Sequence, residues 1–120
     1  VGKFGFFTDT GFVTKQMMKV IPKLNAILLE SNHDIDMLIN GSYPAFLKKW
    51  ILSDEGHLSN YNAGSIINEK GKNLSLALLG HLSENNNTLD VARDTFECLV
   101  KRKIDFSVCS RDKESGSWKI

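Results

Sequence analysis

The sequence predicts an α/β domain built on one mostly parallel sheet with flanking helices. Short, unbroken apolar runs alternate with segments of helical period, as crossover connections require, and the runs lack the polar alternation of strands with one wet face. Each run also ends in turn-forming or ionisable residues. With 120 residues, 42% hydrophobic and 24% charged, the chain has the size and composition of one small globular domain. That excludes disordered and collagen-like classes.

The elements follow in order. Lys3 to Thr8 reads as a buried strand running into a turn at Asp9-Thr10-Gly11, with Phe4, Phe6 and Phe7 expected in the core. Thr14 can cap a helix carrying Met17, Met18, Ile21 and Leu24, ended or kinked by Pro22. Ala26-Ile27-Leu28-Leu29 is the second strand, closed by Glu30-Ser31-Asn32-His33-Asp34. Asp34 can start a short helix through Ile35, Leu38 and Ile39, stopped by Asn40-Gly41; Pro44 suits the first turn of another through Phe46, Leu47 and Trp50. Ser53 to Asn60 is polar and aperiodic, a loop in which Ser59 or Asn60 caps a helix ending near Gly71. Leu74 to Leu79 is the third strand, and Gly80 to Asn87 a second polar loop. Asn87 or Thr88 then caps the longest helix, whose Ala92, Phe96, Leu99, Val100 and Ile104 share one face. Phe106 to Cys109 is a fourth strand.

Fifteen Lys and Arg against 14 Asp and Glu leave a net charge of +1, so nucleic acid or anionic lipid would have to be held locally. No apolar run reaches the roughly 18 residues of a membrane span, and the start carries no signal-peptide pattern. Cys98 and Cys109 lack C-x-x-C spacing and read as reduced, buried residues of a cytoplasmic protein. The first residue is Val1 rather than Met, which suggests a piece of something longer.

In open α/β sheets ligands gather at the carboxyl ends of the strands. Those ends here carry Asp9, the Glu30 to Asp34 cluster and His81, and the loop between the last two adds His57. Carboxylate plus imidazole suits zinc or manganese, and one carboxylate can bridge a metal pair. Plainer roles compete: an Asx-turn for Asp9, surface positions for His57 and His81, a helix cap around His33, a solvated loop over Glu84 to Asn87. The basic run Lys101 to Lys103 is read as helix-dipole compensation. Asp9-Thr10-Gly11 also imitates an aspartic-protease loop, but the helical segments oppose that nearly all-β fold.

Longer phrases carry more weight. Thr8-Asp9-Thr10-Gly11, Leu28-Leu29-Glu30-Ser31-Asn32-His33-Asp34, Gly41-Ser42-Tyr43-Pro44, Ser53-Asp54-Glu55-Gly56-His57-Leu58-Ser59-Asn60 and His81-Leu82-Ser83-Glu84-Asn85-Asn86-Asn87-Thr88 together resemble the carboxyl-terminal half of the metallo-β-lactamase fold superfamily, in particular its YycJ/WalJ-like branch. The resemblance implies an αββα fold of two half-domains with a binuclear metal site at the seam between their sheets. It implies that Asp9 bridges two divalent ions, zinc or manganese, and that His81 completes the second. By likeness to transfer-RNA 3′-processing nucleases, His57 would be a proton donor or transition-state stabiliser. Glu30, Asn32, His33 and Asp34 would lie behind the ligands or at the substrate's edge, orienting them.

The sequence departs from that pattern in one large way: the His-x-His-x-Asp-His motif and the histidine after it are absent from these 120 residues. Leu89 also stands where a proline is usual, and Lys49-Trp50 where an arginine is expected. Two protein ligands are too few for a tight zinc site. The expectation is therefore that residues 1–120 are the C-terminal half of a metallo-β-lactamase-like domain, partnered by a missing N-terminal half and inactive alone. The complete domain would hydrolyse phosphodiesters with metal assistance, as a 5′ to 3′ DNA exonuclease with a repair role. A half-domain should also expose an apolar sheet face and self-associate through it. The alternatives are a non-catalytic α/β binding or regulatory module, and a hydrolase of the same fold that cleaves RNA or a small ester.

Overall fold

The computed structural model describes residues 2–110. Its elements are β1 (Phe4–Phe7), α1 (Lys15–Val20) with a 3-10 turn at Ile21–Lys23, β2 (Ala26–Glu30), α2 (Ile35–Asn40), α3 (Ala45–Ile51), α4 (Asn60–Lys70), β3 (Leu76–Gly80), α5 (Leu89–Leu99) and β4 (Asp105–Val108). The four strands form one sheet in the order β1-β2-β3-β4, every pair parallel. The α/β class expected from the alternating pattern is the class observed. Among the described residues no helix is long and apolar enough to cross a membrane.

Four of the helices are started by a polar side chain accepting a hydrogen bond from a backbone N–H of the first turn. Thr14 Oγ1 accepts from Met17, Asp34 Oδ2 from Met37, Ser59 Oγ from Asn62 and Thr88 Oγ1 from Val91. Ser59 and Thr88 are thus the caps, which releases Asn60 and Asn87 for another task. Pro44 precedes α3 in extended conformation, with no side-chain cap.

Because side chains alternate along a strand, the sheet has two distinct faces. Ile27, Leu29, Ala77 and Leu79, with Phe7, Phe106 and Val108, pack against Met17, Ile21, Ala63, Ile66, Ile67 and Phe96 from the helices. The alternate residues Phe4, Phe6, Leu28 and Leu78 point to the opposite face. There Phe4 is 45% and Phe6 63% exposed, and Leu28 and Leu78 are half-buried. Phe4 and Phe6 were expected in the core; the alternation of an edge strand carries only Phe7 inward.

Two further expectations are corrected. Cys98 and Cys109 are free but not buried, since Cys98 is exposed on α5 and Cys109 half-buried beyond β4. The last helix ends at Leu99 and does not run on toward Ile104. Val100 turns extended, Lys101 N donates to Asn68 Oδ1, and the Arg102 guanidinium donates to the carbonyls of Ile67 and Gly71, so the chain folds back on the end of α4. At 11 residues α5 is as long as α4 rather than longer.

Candidate metal centre

A parallel sheet brings the C-terminal ends of β1, β2 and β3 to one edge, and the ionisable residues following them meet there. Asp9 lies two residues past β1, Glu30 is the last residue of β2, and His81 is the first residue past β3. The loop after α3 adds His57. One ligand atom from each of these four residues lies within 4.8 Å of the other three.

The backbone is bent to make this meeting. Among the described residues Asp9 (φ 56°) and His81 (φ 59°) are the non-glycine residues with positive φ. Asp and His are among the side chains that tolerate that left-handed region best, yet it stays uncommon, and strained positions gather at functional sites. Gly11 lets the turn after β1 lie directly on the loop that carries His57, since a Cβ there would collide with the carbonyls of Ser53 and Asp54.

Glu30 organises the cluster. Its carboxylate is fully buried, so it needs hydrogen-bond donors in place of water. It receives Thr10 N at 3.2 Å on Oε1, and on Oε2 the Nδ1 of His57 at 2.5 Å and of His81 at 3.2 Å. With Nδ1–H of each ring committed to Glu30, Nε2 of each is left as the lone-pair nitrogen. His81 Nε2 lies 3.7 Å from Asp9 Oδ1. The two imidazole centroids are 5.3 Å apart, and Trp50 meets His57 edge-on at 5.8 Å.

In donor chemistry the cluster fits a divalent ion. An exposed carboxylate faces an imidazole nitrogen whose partner nitrogen is held by a buried carboxylate, the arrangement that fixes tautomer and ring plane in metal-binding histidines. Asp9 and His81 would hold the ion, and Glu30 would orient both rings.

Behind the cluster lies a buried polar web. Ser31 Oγ donates to Asn60 Oδ1 at 2.6 Å, and the amides of Asn60 and Asn87 pair reciprocally. Asn87 Nδ2 also reaches the carbonyls of Ser31 and Asn32. Asn32 Nδ2 donates to the His81 carbonyl at 2.9 Å, which ties the loop after β2 to the loop after β3. Asn60 and Asn87 escaped sequence reasoning beyond the role of caps, because Asn is equally ordinary at helix starts. Asn86 and Asn87 are buried, so the Glu84 to Asn87 run is not simply a solvated loop.

The remaining sequence-derived candidates sit beside the four. His33 is buried, its Nδ1 lies 3.2 Å from Asn32 Oδ1, and its Nε2 has no partner among the described residues. Burial first, and His57 second, push its pKa down to about 4, against the opposing pull of Asp34. Asp34 caps α2 with its carboxylate and stands outside the four-residue cluster.

No family model matches the chain. Among curated proteins it is 40% identical over 105 residues to "Exodeoxyribonuclease YycJ" of Bacillus anthracis, an alignment covering 84% of this chain and 39% of that protein. It is 42% identical over 93 residues to "Exodeoxyribonuclease WalJ" of Streptococcus pneumoniae strains D39 and R6, covering 77% of this chain and 35% of theirs. The chain thus spans little more than a third of the length of the curated relatives it matches, and what it is similar to is one portion of the exodeoxyribonucleases named YycJ and WalJ.

Proposed function

We propose that this chain is the C-terminal portion of a metal-dependent nuclease that hydrolyses phosphodiester bonds in DNA, and that the rest of the site comes from the portion of the fold lying N-terminal to it. The observation that carries this reading is the convergence of Asp9, Glu30, His57 and His81 within 4.8 Å at the carboxyl edge of the sheet. The names of the relatives supply the substrate class.

When bound, two divalent ions would activate water and offset charge on the phosphoryl oxygens. Asp9 would lie between the two ions and His81 would complete the coordination of one through Nε2. Glu30 holds His57 by Nδ1, so Nε2 of His57 is free to carry a proton to the departing oxygen. Asn32 steadies His81 from its backbone side. His33 and Asp34 act at one remove, by bracing the loop after β2 and starting α2.

The open sheet face formed by Phe4, Phe6, Leu28 and Leu78 would be covered by the sheet of the N-terminal half. Without that half, this face favours self-association and the chain is inactive. The deciding experiment incubates the complete protein with end-labelled DNA and RNA, with and without chelator. Cleavage of DNA that chelator and Asp9→Ala both abolish is expected. Cleavage of RNA alone, or cleavage that survives Asp9→Ala, would contradict the reading.

A further inference from the structure

A cavity of about 440 Å³ opens beside the four-residue cluster, a size within the usual range for small-ligand pockets of about 300–1,000 Å³. His57 and His81 belong both to its wall and to the cluster. Across from them stand Tyr43 and Trp50, with the amides of Asn32 and Asn85 also lining it. Trp50 is 47% exposed and backed by His57, and Asn85 Nδ2 donates to the Tyr43 hydroxyl at 3.2 Å, which helps hold that ring.

The charge of this wall is informative. No Lys or Arg lines it, and the only carboxylate is that of Glu84. Lys48, on the same helix as Trp50, turns its Nζ away to the carbonyls of Ile39 and Gly41. A phosphate would find no cation here, whereas a flat neutral ring would find two aromatic faces and amide groups for its polar edge. A nucleotide whose phosphodiester lies at Asp9 and His81 has its base within reach of this space, because the two histidines are shared.

We propose that this cavity is a stacking subsite for the terminal base of single-stranded DNA, with Trp50 as the platform and Tyr43 beside it. The inference rests on the nuclease reading and adds to it the strand state and the part of the substrate recognised. A base can enter only when unpaired from a complement and lifted off its neighbour. Recognition is sequence-tolerant, since every base offers a π-face.

The test measures binding rather than turnover. The complete protein, its Trp50→Ala and its Trp50→Phe variants are titrated, with chelator present, against fluorescent single-stranded oligodeoxynucleotides, intact or abasic at the 5′ or the 3′ terminal position. Trp50→Ala is expected to weaken binding of the intact strand roughly 5- to 150-fold, the range for one stacked base. Trp50→Phe should retain most of the affinity. Removing one terminal base should weaken the unaltered protein by a similar factor and scarcely weaken Trp50→Ala further, because both changes delete the same contact. If the two losses multiply independently, or neither change alters affinity in a protein that still cleaves DNA, the subsite is wrong and the nuclease reading stands. A protein that neither binds nor cleaves DNA overturns both.

Discussion

Asn60 and Asn87 face each other amide to amide, each Nδ2 lying 2.9 Å from the other's Oδ1. Asn60 opens α4 and Asn87 closes the loop after β3, so this buried pair locks together two loops that arise 27 residues apart. Through the Ser31 and Asn32 carbonyls the lock extends to the end of β2, one residue from Glu30. The candidate metal centre is therefore held from beneath by neutral groups that take no part in its chemistry.

Asn87→Ala removes the donor for three acceptors and the acceptor for Asn60 and for Thr88 N. With buried partners left unpaired at about 1–3 kcal/mol each, and some relaxation, a loss of roughly 2–4 kcal/mol is expected. Urea denaturation followed by circular dichroism measures it. A change below about 0.5 kcal/mol, the ordinary surface value, would mean that the web is not a structural lock.

Glu30→Gln keeps the shape of the side chain but lowers its power to accept from two imidazoles at once. Both rings lose their common anchor, so metal affinity or activity of the complete protein should fall about 10- to 100-fold, the usual effect of removing an orienting partner. Proton NMR offers a separate readout: the Nδ1–H of His57, held at 2.5 Å, should give a far-downfield resonance that Glu30→Gln abolishes. Persistence of that signal in the variant would assign the bond to another acceptor.

His33 makes stability depend on pH. Its folded pKa of about 4 lies below the ordinary 6.5, so between these values the unfolded chain binds more protons than the folded one. The stability from keeping this ring neutral is complete above pH 6.5 and is lost as pH falls toward about 4, a span of ~3 kcal/mol. Denaturation of the unaltered chain and of His33→Asn across this window isolates the term as their difference. Parallel pH profiles would contradict it.

Much of the fold is legible along the chain because its determinants are local. Thr14, Asp34, Ser59 and Thr88 announce their helices by residue type, and the apolar runs at Ala26 and Leu76 announce strands shielded from water. Phe4 and Phe6 were misplaced because burial on a sheet depends on what covers each face, which no single strand encodes. Among site residues, Asp9, His57 and His81 were found through their position after strands and their place in longer phrases. The convergence of His57 and His81 on Glu30 depends on contacts across 27 and 51 residues and becomes visible only when the parallel register is known. Asn60 and Asn87 carried no separate signal, since a capping asparagine and a buried, bridging one look alike in sequence.

The central claim is that Asp9 and His81 hold a divalent ion while Glu30 holds the opposite nitrogen of the His81 ring. The most direct measurement is a zinc titration of the complete protein labelled with nitrogen-15 in its histidines, reading each imidazole nitrogen by NMR. The account predicts a saturable shift of His81 Nε2 with its Nδ1–H retained, an unmoved His33, and loss of the His81 response in Asp9→Ala. A His81 Nε2 that ignores saturating zinc, or responds equally well without the Asp9 carboxylate, would contradict it.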